Sequence, residues 1–176
     1  MAVSKETKQW FVVYTRARTE KKVFEALMKE QIEAYLPLVK KMRQWSDRKK
    51  IVEEPLFRSY VFVHISPREY FQTLNVFGVA RFVTFEGKAV PIPENQMKAI
   101  RLFVEDPMEE EQLSTVIAEG QPVRVKSGPM EGLIGTMIKY QNKFRLIIQI
   151  DAIGQMINVN IARSRIEAID SKSLKA

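Results

Sequence analysis

The chain has 176 residues, with no cysteine and one histidine. Disulfide frameworks, thiolate nucleophiles and Cys/His zinc sites are therefore excluded, and any histidine-based catalysis would rest on His64 alone. Apolar residues nowhere run uninterrupted for the ~18 to 20 positions that a membrane helix needs. The segment from Met1 to Gln9 lacks the apolar stretch of an export signal. A cytoplasmic location with no membrane partner is expected from that segment alone, because the lack of cysteine fits any compartment. No set of acid, base and nucleophile stands at a recognisable catalytic spacing, so an enzyme is not expected and neither is a cofactor.

What is present is an apolar content of 45%, enough for one medium domain or two small ones. Lysine and arginine number 28 against 21 acids, for a net charge of +7, which favours an anionic partner such as nucleic acid or an acidic protein surface. The charge is segmented: residues 1–104 carry a net +8, residues 105–119 hold six acids and no base, and residues 120–176 carry +5. The acidic stretch opens Glu105-Asp106-Pro107-Met108-Glu109-Glu110-Glu111, joining a proline to mutually repelling charges, and reads as a linker between two domains. A solvated helix end followed by a loop would separate the same two blocks.

In the first block, Trp10 to Thr15 is aromatic and β-branched and predicts a strand. Thr19 then offers an N-cap to a helix with Val23, Leu27, Met28 and Ile32 at helical spacing. Ala34 to Met42 and Ile51 to Glu54 read as two hairpin arms joined by the cationic turn Arg43 to Lys50. Leu56 to Ile65 is apolar at nearly every position, as in a strand covered on both faces. Ser66-Pro67 predicts a helix start, Val79 to Phe85 a strand and Pro93 to Val104 a helix, which makes the block α+β with antiparallel pairing. The second block predicts five short strands, over 122–126, 133–140, 144–150, 156–161 and 166–169, in a small closed β-barrel of the kind that binds rather than catalyses.

The run from Gly120 to Gly135 places Gly120, Gly128, Gly132 and Gly135 at turns between apolar alternations. It resembles a KOW motif, G-x-x-V-x-V-x-x-G-P-F-x-G-x-x-G, departing from it at Pro122 and Met130. Upstream, Trp10 to Thr15, then Glu20-Lys21-Lys22-Val23, then Glu54 to Val63 resemble, in order and spacing, the N-terminal (NGN) domain of NusG-type elongation factors. The two resemblances together cover roughly residues 9 to 170. A glycine that the family carries near Arg18 is absent, and a basic residue there is similar to the specialised RfaH and UpxY paralogues, which act on selected operons.

This resemblance implies an NGN domain at residues 1–104 with a mainly antiparallel sheet flanked by helices, an acidic linker at 105–119, and an SH3-like KOW barrel at 120–176 with a short tail. It implies a monomeric factor that lies across the RNA polymerase cleft against the clamp helices of the largest subunit, raising processivity without catalysing a reaction. Tyr14, Phe57, Tyr60 and Phe62 would form the apolar clamp-facing surface, although aromatic residues on strands also serve as plain core. Arg16, Arg18 and Lys22 would meet the non-template DNA strand, and Arg48, Lys49 and Lys50 at the hairpin tip would lie near upstream duplex; a solvated cationic face is the alternative. Base selectivity would fall to side chains such as Arg16 or Gln72. Phe71-Gln72-Thr73 corresponds to a short polar motif reaching the opposing polymerase subunit. The KOW unit would contact ribosomal protein S10 or Rho, with Ile147, Ile148, Ile150 and Ile153 in the relevant region. The β-branched residues of that unit predict a barrel rather than a helical hairpin. His64 reads as a satisfied strand residue. A ribosome-associated RNA-binding KOW protein is the other reading, and the first block weighs against it.

Overall fold

Strand β1 (Gln9–Thr15) forms from the aromatic and β-branched run and lies inside an antiparallel sheet. The chain is represented by a computed structural model that describes residues 7–105, 120–140 and 143–169. Strand β2 is Glu33–Tyr35, β5 is Tyr60–Ile65 and β6 is Val79–Phe82, and the sheet runs β2-β5-β1-β6. The described residues fall into two compact units, 1–93 and 94–176.

In the first unit, helix α1 (Glu20–Lys29) turns Val23 and Leu27 onto the sheet, where they join Ile32, Val13, Val61, Val63, Ile65 and Phe82 in one buried cluster. Full burial of a side chain such as Leu27 contributes about 1.5–3 kcal/mol. Met28, predicted on the apolar face, is half exposed instead. Thr19 is the N-cap of α1, but its hydroxyl donates to the Arg16 carbonyl and accepts no hydrogen bond from a helix N–H. Helix α2 (Glu69–Asn75) starts three residues past Ser66, whose N–H and hydroxyl both donate to the Glu69 carboxylate in a capping arrangement. Tyr70 of α2 stacks on Phe82 at 4.3 Å.

The predicted hairpin is present as β3 (Leu38–Gln44) paired with β4 (Lys49–Pro55), a two-stranded ladder of its own. Its first predicted arm is divided: Ala34 belongs to β2 and pairs with β5, and only from Leu38 does the chain enter the hairpin. The predicted strand over 79–85 also divides, into β6 and the short β7 (Thr84–Phe85), which pairs with β8 (Lys88–Ala89).

In the second unit, β9 (Gln121–Val125), β10 (Ile134–Tyr140), β11 (Lys143–Ile150), β12 (Gln155–Asn160) and β13 (Ile166–Ala168) form an antiparallel sheet ordered β12-β11-β10-β9-β13. These are the five predicted strands, and among the described residues the end strands β12 and β13 share no ladder with each other. Helix α3 (Glu94–Glu105) groups with these strands and packs against β12, with Met97, Ala99, Ile100 and Phe103 buried. Gln96 Nε2 donates to Asp151 Oδ2 at 3.0 Å and Asn95 Nδ2 to the Glu131 carbonyl at 3.1 Å. Apart from Glu105, which ends α3, the acidic segment expected to link two domains lies outside the described residues.

Candidate nucleic-acid interface

The β1/β5 register sets Tyr14 opposite Tyr60, Val12 opposite Phe62 and Trp10 opposite His64, so these six side chains share one face of the sheet. The rings of Tyr14 and Tyr60 meet edge-on at 5.6 Å, and the Arg81 guanidinium sits 5.5 Å from the centre of the Tyr14 ring. Tyr14 is 37% exposed and Tyr60 half-buried. Phe62 is fully buried, with Phe57 at 5.9 Å and Tyr35 at 6.4 Å around its ring, and Phe57 is buried as well. Of the four aromatic residues expected to face a partner, Tyr14 and Tyr60 present surface, whereas Phe57 and Phe62 are core beneath them. His64 stacks on Trp10 at 4.7 Å, and its Nδ1 shares a 2.8 Å hydrogen bond with Glu33 Oε2, as befits a satisfied strand histidine.

Arg16 and Arg18 lie in the turn between β1 and α1, closed by the Thr19 N–H donating to the Arg16 carbonyl at 3.2 Å. Arg18 occupies the left-handed region at φ 64°. For a residue with a side chain this conformation costs roughly 1–2 kcal/mol, and a glycine would adopt it without that cost, which gives a physical reason for the glycine expected near this position. Ser59, in the turn before β5, is also left-handed, at φ 66°. Its N–H donates to Glu20 Oε1 at 2.7 Å, and its carbonyl accepts the Thr15 N–H at 2.8 Å. Glu20 is itself buried, and sequence reasoning missed it as a positioning residue; an acid among the cations of positions 16–22 was the available signal.

Arg18, Lys21, Lys22, Arg43 and Arg58 converge on a cleft of about 770 Å³ whose acidic members are Glu20 and Glu54. Lys21 Nζ donates to the Glu53 carbonyl at 2.8 Å, and Arg43 pairs with Glu54 at 2.6 Å. Among the described residues, none forms an ion pair with Arg18, Lys22 or Arg58. A second groove, of about 700 Å³, is lined by Arg16, Lys22, Asn75 and Phe77, so that Lys22 borders both. Phe77 is 91% exposed and was not singled out from the sequence. Arg48, Lys49 and Lys50 line neither space; they stand exposed at the hairpin tip, where the Trp45 N–H donates to the Arg48 carbonyl at 2.8 Å. In the Phe71-Gln72-Thr73 segment, Phe71 is exposed, Gln72 donates to the Glu30 carbonyl at 3.0 Å and Thr73 is buried.

In the second unit, Gly128 and Gly132 are left-handed, at φ 92° and 85°, in the turn between β9 and β10. A Cβ on Gly120 would collide with the Thr136 side chain; Gly135 lies within β10 and not at a turn, and a Cβ there would meet the Ile147 carbonyl, so it is close approach of the neighbouring strand that calls for glycine. Ile147, Ile148 and Ile150 are buried and give no surface to a partner; Ile153 is half-buried, and Met156 is half exposed.

An antiparallel sheet backed by helices, followed by a glycine-punctuated five-stranded unit, defines a two-part α+β protein with a cationic surface. The family model "Transcription termination factor nusG" matches residues 8–101, and the chain belongs to the NusG family. The transcription termination/antitermination protein NusG of Staphylococcus carnosus is 25% identical over 177 aligned residues, spanning 92% of this chain and 96% of that protein. The Staphylococcus aureus NusG is likewise 25% identical with the same coverage. A solved structure described as "Domain interaction in Thermotoga maritima NusG" superposes with a TM-score of 0.51 at 26% identity, covering 93% of this chain and 98% of that one. In the described residues no helix is long and apolar enough to cross a membrane.

Proposed function

We propose that the chain is a monomeric, cytoplasmic transcription elongation and antitermination factor that binds RNA polymerase through its N-terminal part. In this reading the domains are residues 1–104 and 120–176, joined by the acidic segment. The exposed edge of the Tyr14–Tyr60 pair docks on the clamp helices of the largest subunit, backed by Phe57 and Phe62. Arg16, Arg18 and Lys22 hold the non-template strand, the hairpin tip Arg48 to Lys50 lies along upstream DNA, and the bridged cleft stays closed around nucleic acid, which raises processivity. The KOW domain engages ribosomal protein S10 or Rho. Action on selected operons, as in the RfaH and UpxY paralogues, is supported by the basic residue at position 18.

The observation that carries this reading is the pairing, on neighbouring ends of β1 and β5, of a partly exposed aromatic couple with cations that have no carboxylate partner among the described residues. A docking surface that bridges protein and nucleic acid needs both chemistries side by side. The test is co-purification of core RNA polymerase with the tagged full chain. Wild type should retain the enzyme, and Tyr14→Ala with Tyr60→Ala should lose about tenfold of it while still showing a cooperative melt of a folded protein. Equal retention by both proteins would refute the docking surface.

A further inference from the structure

The ribbon of β3 and β4 leaves apolar surface in solvent. Of the ten large apolar side chains exposed among the described residues, three fall within 42–51: Met42 at 66%, Trp45 at 52% and Ile51 at 63%. The ladder sets Met42 directly opposite Ile51, so the two share a face, with the Lys40–Glu53 pair on one side of them and the Gln44–Lys49 pair on the other. Trp45 follows at the tip, where its N–H donates to the Arg48 carbonyl at 2.8 Å and closes the turn through Ser46 and Asp47. The opposite face sets Arg43 across from Lys50, like charges that repel, and of the two Arg43 is tied to the Glu54 carboxylate.

A two-stranded ribbon with its own ladder is marginal in water, and exposed apolar side chains and opposed like charges lower its stability further. A partner that is anionic outside and apolar within offsets both. The apolar stripe is narrow: from Lys40 outward every residue of β3 is exposed, and cations stand on both faces, Lys40 and Lys49 beside the Met42–Ile51 pair, Lys41, Arg43 and Lys50 behind it. A flat surface would meet one face and leave the cations of the other in solvent. The grooves of a duplex carry a phosphate backbone on each side, and β-ribbons enter them. The seven residues of β3 reach about 23 Å, well beyond a groove depth of about 8 Å.

The geometry points to a further activity of this ribbon: it distorts duplex DNA, with Trp45 inserted as an apolar wedge at a base step and Met42 and Ile51 packed against the base edges behind it. This rests on the reading that the tip Arg48 to Lys50 meets duplex DNA, and adds the side chain that opens the duplex there. Apolar side chains entering between bases unstack them and kink the helix, and an indole ring offers the parted bases a broad flat surface. Over residues 45–50 three cations stand against one acid, Asp47, so phosphate contacts hold the tip where the ring enters.

The test uses the full chain and a duplex that carries 2-aminopurine beside TA steps, which unstack most readily, with a donor and an acceptor dye at its ends. Wild type should raise the 2-aminopurine emission as the base leaves the stack, and should bring the two ends closer. Trp45→Ala, at an exposed tip, should melt as wild type does yet bind the duplex about 5- to 10-fold more weakly, with an unchanged slope of log affinity against log salt and neither signal at saturation. Trp45→Phe should restore both signals. Lys49→Gln with Lys50→Gln should make the slope shallower by about 1.8 and keep the base signal at saturating protein. Salt-dependent binding by wild type with no change in emission or end distance, matched by Trp45→Ala, would refute the wedge and leave the phosphate reading of the tip in place. If phosphatidylglycerol vesicles bind wild type as tightly as the duplex does and Trp45→Ala weakens both alike, the stripe accepts any anionic surface with an apolar interior, and the wedge is again refuted. Wild type failing to bind the duplex would overturn both readings.

Discussion

Glu20 and Ser59, 39 residues apart in sequence, meet in a buried hydrogen bond of 2.7 Å in which the Ser59 N–H donates to the Glu20 carboxylate. One residue opens α1 and the other lies in the turn before β5, so this bond joins two of the segments that line the cationic cleft and holds Ser59 in its left-handed conformation.

Removing that carboxylate should therefore be costly. Glu20→Ala leaves a buried N–H without a partner and is expected to destabilise the chain by about 1–3 kcal/mol, with Glu20→Gln, which keeps an acceptor, losing less. Urea unfolding followed by circular dichroism checks this; equal stabilities for all three proteins would show that the bond contributes nothing.

The aromatic residues should separate into two kinds. Phe62→Ala empties a fully buried site and should cost about 3–5 kcal/mol, visible as a lowered melting temperature. Tyr60→Ala and Tyr14→Ala, at the exposed edge, should change stability far less and weaken polymerase retention. A melt of Phe62→Ala that matches wild type would contradict its place in the core.

Acid should loosen α2 through Glu69. Burial pushes its carboxyl up, but the Ser66 N–H, the Lys8 ammonium and the Ser66 hydroxyl together carry it below the ordinary carboxylate value. A carboxyl lowered in the folded state contributes stability above its unfolded pKa and loses it as pH falls through the folded one, so the contribution is present at pH 7 and fades below about pH 4. Glu69→Gln should be less stable than wild type at pH 7, with the difference shrinking at pH 3. A difference that stays constant in urea titrations at both pH values would contradict this assignment.

The second unit offers a steric test. Gly135→Ala drives a methyl group into the Ile147 carbonyl, a backbone atom that cannot swing aside, and should unfold or rearrange the β10–β11 ladder. Gly154→Ala, with nothing near its added methyl but a φ of 63°, should cost only the roughly 1 kcal/mol of a left-handed alanine. Amide chemical shifts of the two variants would separate a local change from loss of the strands.

Much of this architecture is legible in the sequence, for identifiable reasons. Trp10 to Thr15 and the five C-terminal strands announce themselves because β-branched and aromatic residues there alternate between turn residues. The division of the first hairpin arm at Leu36 and Pro37 is not legible, because it depends on which neighbour each half pairs with. The surface is harder still. On β5 both faces carry apolar residues, so nothing local distinguishes Tyr60, at the open end, from Phe62, two residues further in. The basic turn Arg16 to Lys22 is visible in sequence, but Arg43 and Arg58 join it only through the hairpin and the β4–β5 turn, and Phe77 stands out only through its exposure.

Action on transcription is measured by single-round transcription by the cognate RNA polymerase on a template carrying pauses and a terminator, with and without the purified full chain. Faster passage through the pauses and more read-through at the terminator are expected, both lost in the Tyr14→Ala, Tyr60→Ala double variant. Transcript profiles unchanged by the protein on such templates, together with no retention of polymerase, would contradict the proposed function.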